Sequence, residues 1–354
     1  MKIVFITSTL TSGGSERVMS LLANCLSQKG NEVVIICLNK QIVCYPLEEV
    51  IKVIFLEKEL NSKSIVKKIF GLRKWVKNLR PDVVVAFMEA VYCVTLLSLI
   101  GVKIPIISSE RIDPRKSPYL RNVIRRLCLP LTTHLVVQTN DIMKFYPGFI
   151  RKKTTVIFNP VTDAVFDLAK EPRQNVIISV GRLYQQKNQK MLINAFSHIA
   201  NEFKDYKLVI YGEGPERIAL EELIRELKME GRVFLPGVSS HVIEELNRAK
   251  LFCLTSDYEG MSNALIEALC VGLPVISTKV SGVKELIDDG RNGRTIEIGD
   301  TNGLVCALRD LLRKEDEMDS YGKENKKRAE MFRTVHIVEQ WNELLESVIA
   351  SYYG

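Results

Sequence analysis

NVIISVGRLYQQKNQK (175–190) places a short β-branched run directly before a polar turn that contains Arg182 and Lys187, and a helical pattern follows the turn. Continuous apolar strands that alternate with helices are typical of parallel sheets covered on both faces. In such doubly wound sheets, ligands bind beyond the carboxyl ends of the strands. The turn contains no acid that could pair with its two cations. Their meaning therefore depends on the residues that follow the other strands.

The same alternation runs through the whole chain of 354 residues, which exceeds the size at which one hydrophobic core usually keeps growing. We predict an α/β protein with two doubly wound domains, 1–165 and 166–335. A C-terminal helix, 336–354, could return to the first domain. The segment 158–174, with two prolines and mixed polarity, is the best linker. The predicted strands are 2–8, 32–38, 50–56, 82–87, 104–109, 134–139, 175–181, 206–212, 232–237, 250–256 and 273–278.

Composition excludes several classes of protein. The hydrophobic fraction of 46% contains no uninterrupted apolar run of about 18 residues, and the N-terminus runs into a strand without the pattern of a signal peptide. We therefore expect a cytoplasmic protein. The eight cysteines form no CxxC pair and the four histidines form no HExxH motif. We expect reduced core cysteines and no metal site.

The net charge of +7 is unevenly distributed along the chain. Residues 1–165 contain 24 Lys and Arg against 12 Asp and Glu, a balance of +12 that leaves −5 for the remainder. A basic half could face nucleic acid, an acidic substrate or an anionic membrane surface. The sequence contains no recognised nucleic-acid-binding motif and no aromatic platform, so we do not expect nucleic acid as a partner.

The first turn after a strand, TLTSGGSERVM (9–19), contains Gly13 and Gly14 at the predicted start of a helix. Glycines at this position let a ligand approach the backbone, and helix-start amides can bind an anion. The turn is not GxGxxG, and no acid follows the second strand, which argues against a dinucleotide dehydrogenase. The chain also lacks GxxxxGK[ST], which disfavours a P-loop ATPase. A tight strand-to-helix turn without a ligand stays an alternative.

Two further glycines follow the next strand of the second half, in Gly212-Glu213-Gly214-Pro215. Together with Arg182 and Lys187 they look like a diphosphate site, because arginine can bind two oxygens at once and lysine supplies a compact charge. Each basic residue alone would more often be a solvated surface charge.

The segment TSDYEGMSNALIEALCVGLPVIS (255–277) contains two acids, Glu259 and Glu267, with seven residues between them. The polar turn between them precedes a helix, so amides around Met261 to Ala264 would suit a phosphate. Glu267 could accept hydrogen bonds from ribose hydroxyls, and Glu259 could reach a sugar. Two unrelated surface acids are the alternative, which the Arg182 and Lys187 pair makes less attractive.

At this point the sequence resembles the retaining nucleotide-sugar glycosyltransferases of the GT-B fold, family 4, over nearly the whole chain. The matching motifs are SGGSERV, GRLYQQKN, GEGPER and EGMSNALIEA followed by GLPVIS, in the family's order and spacing. The fold implied is two Rossmann-like domains that face a central cleft, with the acceptor bound by the first domain and the nucleotide sugar by the second.

The resemblance also implies roles for single residues. Arg182 and Lys187 would hold the donor diphosphate and Glu259 the donor sugar, and these three are the expected catalytic residues. The two cations would then lack a protein partner because the nucleotide is their partner. The implied reaction is metal-independent, needs no cofactor, retains configuration and uses a donor that is most often a UDP-sugar. The expected donor-binding residues are Gly14, Gly212, Gly214, Gly260, Met261, Ser262, Asn263, Ala264 and Glu267.

One segment departs from many family members, which carry a histidine where this chain has Ser109-Glu110-Arg111. The variant resembles a subgroup that makes bacterial capsule, exopolysaccharide or O-antigen chains, which implies a lipid-linked saccharide acceptor. Glu110 and Arg111, with Gly13, are therefore candidates for acceptor binding. The alternative for Glu110 and Arg111 is a salt bridge on a loop.

Two other functions stay open from the sequence. A non-catalytic module that binds nucleotide sugars or membranes would be expected to lack some of the four charged site residues, which are all present. An epimerase or phosphorylase on a related fold is disfavoured by the two spaced acids.

Two basic segments, 62–80 and 115–126, suggest peripheral attachment to the inner face of the cytoplasmic membrane. On a helix over 62–80, one stripe should be buried and the basic side chains should face outward around Phe70. A solvated basic face is the alternative. The predicted buried stripe is Ile65, Ile69, Leu72, Val76 and Leu79; the predicted outward cations are Lys63, Lys67, Lys68, Arg73, Lys74, Lys77 and Arg80; the second cluster is Arg115, Lys116, Arg121, Arg125 and Arg126.

Overall fold

The computed structural model describes residues 1–11, 13–39, 42–169 and 171–354. The chain forms two compact units, Met1–Pro160 with Thr334–Gly354, and Val161–Arg333. It crosses between them somewhat earlier than the boundaries predicted at 165 and 335. A hydrogen bond accounts for this, because the backbone amide of Val161 donates to the carbonyl of Phe332 at 2.9 Å. This bond joins the beginning of the second unit to its end.

Seven strands in the described part of the first unit form one parallel sheet, in the order β3-β2-β1-β4-β5-β6-β7. The β-branched and aromatic residues of the central strands β1, β2 and β4 are buried on both faces, whereas the edge strands β3 and β7 are only partly buried. The strands are β1 (Lys2–Thr7), β2 (Glu32–Cys37), β3 (Lys52–Phe55), β4 (Val83–Phe87), β5 (Ile106–Ser109), β6 (His134–Val137) and β7 (Thr154–Val156). The helices are α1 (Gly14–Gln28), α2 (Leu56–Glu59), α3 (Ile65–Leu79), α4 (Glu89–Ser98), α5 (Tyr119–Cys128), α6 (Asn140–Phe145) and α7 (Gly148–Arg151).

The second unit repeats this design with six described strands, all parallel, in the order β10-β9-β8-β11-β12-β13. The strands are β8 (Val176–Val180), β9 (Lys207–Tyr211), β10 (Val233–Gly237), β11 (Leu251–Leu254), β12 (Val275–Thr278) and β13 (Arg294–Ile296). The helices are α8 (Gln189–Ile199), α9 (Arg217–Glu226), α10 (Val242–Arg248), α11 (Asn263–Cys270), α12 (Val283–Leu286), α13 (Thr301–Leu312) and α14 (Glu315–Ala329).

A last helix, α15 (Thr334–Tyr353), belongs to the first unit. Its Trp341 is fully buried and stacks on Phe87 of β4, with ring centroids 6.0 Å apart. Alternate residues of β1 serve two hydrophobic layers, since Ile3 and Phe5 join the layer of α1 and α15, and Val4 and Ile6 join the layer of α3 and α4. The sheet of the first unit is therefore covered on both faces. No helix in the described ranges is long and apolar enough to cross a membrane.

The predicted faces of α3 are wrong in part. Ile65 is exposed, whereas Lys68 is buried and its ammonium contacts Glu57 at 2.9 Å and Asn39 at 2.6 Å. A paired lysine can face inward, which rotates the buried stripe toward Lys68, Leu72 and Val76. Gly71 lies against Leu60, where a larger side chain would overlap.

Another of the predicted outward cations of α3 also has protein partners. The Arg73 guanidinium donates to the carbonyls of Ser98, the last residue of α4, at 3.0 Å and of Ile100, just after it, at 2.7 Å. These bonds satisfy carbonyls that a helix end leaves free.

Helix α5 also differs from the predicted basic cluster. Arg125 is buried and contacts Glu110 at 3.1 Å and Glu89 at 3.5 Å, so it faces the interior. Arg115 pairs with Asp141 at 2.7 Å and with Asp113. Burial raises the pKa of Glu89, and the opposing charge of Arg125 limits that shift. The outward face of α5 and of the turn after it is instead a stripe of exposed apolar residues, Leu120, Ile124, Leu127 and Leu131.

We predict that Arg125→Ala destabilises the first unit by about 3–5 kcal/mol, because it leaves buried Glu110 without its cationic partner. The measurement is urea unfolding followed by tryptophan fluorescence, since both tryptophans, Trp75 and Trp341, lie in the first unit. Arg126→Ala, at the neighbouring exposed position, is the matched control and should stay within about 0.5 kcal/mol of the parent. Equal losses for the two variants would contradict the inward role of Arg125.

Candidate active site

The strand order of the second unit places β8 beside β11, with Leu251 paired to Ile177 and Phe252 to Ile178. Because the order reverses here, the loops after these two strands leave the same edge of the sheet side by side. These loops contain the predicted cations, Arg182 and Lys187, and the predicted acid, Glu259. The switch point therefore joins parts of the site that are far apart in sequence.

The two loops are locked together mainly through backbone groups. The amide of Asp257 donates to the carbonyl of Gln186 at 2.8 Å, and the Gln186 side chain donates to the carbonyl of Tyr258 at 2.8 Å. Asn188 donates to the Asp257 carboxylate at 3.0 Å, and the Thr255 hydroxyl donates to the carbonyls of residues 187 and 188.

The sequence alone did not predict that these residues hold the two loops together. One local signal was available at Asn188, because asparagine is a preferred residue at the start of a helix and adopts the left-handed backbone seen here more readily than most residues. The contacts to Asp257 and Tyr258 carry no such signal, because they join loops that are far apart in the chain.

The expectation that Lys187 lacks a protein partner is wrong. Its ammonium contacts the Glu259 carboxylate at 2.5 Å, and the Ser256 hydroxyl donates to the same carboxylate oxygen at 2.6 Å. The side chains are 16% and 9% exposed, so the pair is largely shielded from water. The two residues are 72 positions apart, which is why no local pattern reveals the contact. Gly181 makes room for the lysine stem, since a Cβ there would lie 3.2 Å from Cε of Lys187.

Arg182, in contrast, is exposed, and its guanidinium lies over the ring of Tyr184, 5.0 Å from the centroid. No carboxylate pairs with it in the part of the chain that the structure describes. Its charge therefore stays available to a ligand.

Gly212 and Gly214 allow two loops to approach each other closely. A Cβ at Gly212 would overlap the carbonyl of Gly181, and a Cβ at Gly214 would overlap that of Leu183. Hydrogen bonds link the same segments, from the amide of Leu183 to the carbonyl of Glu213 at 2.8 Å and from the amide of Glu216 back to Leu183 at 3.0 Å. The glycines thus hold the loop of Arg182 in place, and a direct role in donor binding stays a prediction.

The start of α11 carries most of the other predicted donor-binding residues. Ser262 caps the helix and accepts from the amide of Leu265 at 3.4 Å. Glu267 is buried one turn into α11. The remaining predicted residues here are Gly260 and Met261, which are buried, and Asn263 and Ala264, which are half-buried.

In the first unit, the predicted anion site at the start of α1 is covered by an acid of its own helix. The Glu16 carboxylate lies against Gly13, where it would overlap a Cβ, and accepts from the hydroxyls of Ser15 at 2.6 Å and Thr9 at 3.3 Å. A carboxylate at this position is favoured by the helix dipole. Gly14 is the first residue of the helix. The expectation of amides open to an anion is therefore corrected, because Glu16 occupies the space.

Glu110 lies at the end of β5 and is buried rather than on an open loop. Its carboxylate accepts from the hydroxyls of Tyr92 at 3.0 Å and Tyr146 at 2.9 Å, and pairs with Arg125. Burial, together with the charge of Glu110, raises the pKa of both tyrosines, so they stay neutral donors. Glu110 therefore does form a salt bridge, but with a helix residue of its own unit.

Arg111 follows directly and is 7% exposed. It donates from Nη1 to Asn159 at 2.8 Å, and its guanidinium lies 4.2 Å from the centroid of the Phe87 ring. Burial lowers the pKa of Arg111 to about 9, although the nearby charge of Glu110 opposes that shift. Two of the three candidate acceptor-binding residues, Glu110 and Arg111, are thus interior side chains, which their position in a polar turn did not suggest.

No group of three or more His, Cys, Asp or Glu is arranged to hold a metal ion within the described ranges. The thiols of Cys37 and Cys253 are buried, and burial raises the pKa of each. Metal-independent chemistry stays a prediction.

Comparison with known families matches both units. The model for glycosyl transferases group 1 matches residues 161–328, and the model for glycosyltransferase family 4 matches residues 12–165. A relative from Campylobacter jejuni is 33% identical over 98% of this chain and 99% of its own length. The chain belongs to glycosyltransferase family 4. These matches confirm the family resemblance found in the sequence of this glycosyltransferase.

The Campylobacter relative is named GalNAc-alpha-(1->4)-GalNAc-alpha-(1->3)-diNAcBac-PP-undecaprenol alpha-1,4-N-acetyl-D-galactosaminyltransferase. The amylovoran biosynthesis glycosyltransferase AmsD of Erwinia amylovora is 24% identical over 97% of the chain and 99% of its own length. Among solved structures, Anabaena HepE in complex with UDP superposes with a TM-score of 0.81 at 17% identity, over 98% of this chain and all of that one. The glycosyltransferase thus has the predicted GT-B fold of two Rossmann-like domains.

We predict that the Lys187 and Glu259 side chains are energetically coupled by about 0.5–3 kcal/mol, because each shields the other in a partly buried contact. The measurement is a double-mutant cycle with Lys187→Met and Glu259→Gln, followed by calorimetric unfolding. The pair Lys190 and Glu216, 3.3 Å apart in the same unit and more exposed at 51% and 28%, is the control and should couple by less than about 1 kcal/mol. Strictly additive losses at Lys187 and Glu259 would contradict the ion pair.

Proposed function

We propose that this enzyme transfers a sugar from a UDP-sugar to a lipid-linked saccharide during synthesis of a bacterial surface polysaccharide, and that the sugar keeps its configuration. The name of the Campylobacter relative, which contains an undecaprenyl diphosphate saccharide, supports the acceptor class. The complex of HepE with UDP supports uracil as the base of the nucleotide-sugar donor. The name of the Erwinia relative supports an exopolysaccharide product.

The single observation that carries the proposal is the contact between Lys187 and Glu259 beside the exposed Arg182 at the switch point. Cleavage of the bond between the anomeric carbon and the diphosphate builds negative charge on the leaving oxygen. Cations placed in advance stabilise that charge more in the transition state than in the ground state. We infer that the diphosphate takes Lys187 from Glu259 and pairs with Arg182.

This exchange gives Glu259 its own task. Once Lys187 turns to the diphosphate, the carboxylate keeps the Ser256 hydroxyl and gains the capacity to accept from a sugar hydroxyl. Glu267, buried on α11, would accept from the ribose. For the retained configuration, the leaving phosphate would assist loss of the acceptor proton on the same face of the sugar.

A cavity in the first unit offers a place for the acceptor. It has a volume of about 470 Å³ and lies beyond the carboxyl ends of β1 and β2, where a doubly wound sheet binds ligands. Its hydroxyl, amide and charged groups suit the hydroxyl groups of a saccharide. The lining residues are Thr9, Thr11, Asn39, Glu57, Lys63 and Lys68.

We predict that Lys187→Ala and Arg182→Ala each lower turnover by roughly 10²–10³, because each removes a group that stabilises developing charge. The measurement is UDP release from a panel of UDP-sugars in the presence of bacterial membrane lipid extract. Lys190→Ala, an exposed neighbour in the same segment, is the matched control and should keep near-normal turnover.

Substitution of the two acids, Glu259 and Glu267, tests whether the protein is an enzyme or a non-catalytic binding module. Glu259→Gln should abolish most turnover while UDP still binds, because the released Lys187 is free for the diphosphate. Glu267→Gln should weaken the binding of UDP. Calorimetric titration measures UDP binding to both variants, and the UDP-release assay measures their turnover. Normal turnover in the folded Lys187 and Arg182 variants would refute the site, and loss of activity in EDTA that added metal restores would refute metal independence.

We further propose that the first unit binds the anionic face of the cytoplasmic membrane through α3, α4 and α5, which pack side by side. Exposed apolar residues on α3, Ile65, Val66 and Phe70, lie among the exposed cations Lys63, Lys67, Lys74 and Lys77. Helix α5 turns its apolar stripe outward and its Arg125 inward, which leaves Leu120 and Leu127 largely exposed. No acid occurs in 114–140, so the charge around the stripe has one sign. A basic surface with protruding apolar side chains suits an anionic bilayer.

We predict that the enzyme sediments with vesicles that contain anionic lipid, and that salt weakens this binding, because each cation near the surface contributes about 1 kcal/mol. Leu120→Ser with Leu127→Ser should reduce binding at every salt concentration, whereas Lys63→Glu with Lys67→Glu should reduce it mainly at low salt. Val238→Ser, which changes an exposed apolar residue of the second unit, is the control and should bind normally. Equal binding to neutral and anionic vesicles would refute the proposal.

A further inference from the structure

Arg111 keeps one edge of its guanidinium without a partner. Nη1 donates to Asn159, but Nε and Nη2 are buried and have no hydrogen-bond partner in the part of the chain that the structure describes. Nε and Nη2 carry parallel N–H groups on the same edge of the planar group. That edge is the one with which arginine binds two oxygens of a carboxylate or phosphate at once.

The obvious internal partner is already occupied. Glu110 is adjacent in sequence, but one of its carboxylate oxygens receives Arg125 and the hydroxyls of Tyr92 and Tyr146, and the other faces the backbone amide of Arg111. Within the described ranges no carboxylate lies within ion-pair distance of the Arg111 guanidinium. A buried charged donor without a partner costs folding free energy, so a ligand that supplies the missing oxygens would recover it.

Further unpaired polar atoms lie on the same face of the sheet. Strand register pairs Phe87 with Ser109, and the ring of Phe87 stacks on Trp341 of α15. The buried Ser109 Oγ and Trp341 Nε1 lack partners among the described residues. Each of these atoms is a further hydrogen-bond donor on this face of the sheet.

Gln138, directly after β6, adds a hydrogen-bond acceptor to these donors. Its Nε2 donates to Asn159 Oδ1 at 2.7 Å, the same oxygen that receives Arg111, so the two side chains meet at Asn159. Its Oε1 is buried and has no described donor. A ligand that satisfied both side chains would therefore combine oxyanion oxygens with a hydroxyl group.

We propose that Arg111 and Gln138 form a binding site in the first unit for a sugar phosphate, with the phosphoryl oxygens on Nε and Nη2 of Arg111 and a hydroxyl donating to Gln138. Asn159 holds both side chains in position, and the Phe87 ring supports the guanidinium. The assignment of this ligand to the saccharide acceptor rests on the proposed function, since that acceptor carries phosphate next to sugar. The existence of the site does not rest on the proposed function, because it is inferred only from the unpartnered polar groups of Arg111 and Gln138.

The experiment uses the full chain with glucose 1-phosphate, inorganic sulfate and UDP as probes at constant ionic strength. Binding is measured by calorimetry, and the Arg111 Nε–H resonance is followed by NMR. We expect glucose 1-phosphate to shift that resonance and to bind at least tenfold more weakly to Arg111→Lys, which keeps the charge but loses the paired donors. Arg115→Lys is the matched control, because Arg115 is exposed and paired with Asp141, and it should bind normally.

Two comparisons sharpen the result. Sulfate has no hydroxyl to donate, so it should bind the parent more weakly than glucose 1-phosphate, and Gln138→Leu should remove that difference. UDP binding should be unchanged in Arg111→Lys and lost in Lys187→Ala, which separates this site from the donor site.

An unmoved Arg111 resonance at saturating glucose 1-phosphate would overturn the site, and this readout does not depend on the folding of any variant. Equal loss of UDP and glucose 1-phosphate binding in Arg111→Lys would overturn a separate site. Sugar transfer can fail in every donor assay while glucose 1-phosphate still shifts Arg111, so failure of the proposed function and failure of this site are distinguishable.

Discussion

The pairing of the first and fourth strands in each sheet is the constraint on which both units depend. A parallel sheet needs crossover connections, and the chain of each unit winds first to one side of its initial strand and then to the other. The strands at the reversal, β1 with β4 and β8 with β11, are therefore neighbours although their following loops are distant in sequence. Every site residue discussed for the second unit is brought to one edge by this reversal or by the packing of the loops around it.

Buried charges are the second theme of the first unit. Lys68, Glu110 and Arg125 lie inside with specific partners, and Arg111 lies inside with only part of its hydrogen-bonding capacity used. Removing such groups from water is costly unless they are paired, so their partners determine how α3 and α5 sit on the sheet. The inward turn of Arg125 also explains why α5 presents apolar residues to the outside, since a short helix cannot bury both faces.

The strands and the loop order were predictable because continuous apolar runs such as Val83–Phe87 are typical of strands that are buried in a parallel sheet. The faces of α3 and α5 were not, since a periodicity argument assumes that charges point outward, and Lys68 and Arg125 are paired inside. The contact of Lys187 with Glu259 was also beyond the sequence, because it joins loops 72 positions apart. Local chemistry indicated candidate ligand-binding residues, which stay a prediction, whereas tertiary contacts decide which protein partners those residues have.

The position of α15 has a consequence for synthesis on the ribosome. Phe87 of the first unit stacks on Trp341, which is translated only after all residues of the second unit have been translated. Domains usually fold in the order in which they are made. In this chain the second unit can close its core first, while the first unit waits with one face of its sheet uncovered until Trp341 arrives. The first domain to be translated is thus the last to be completed.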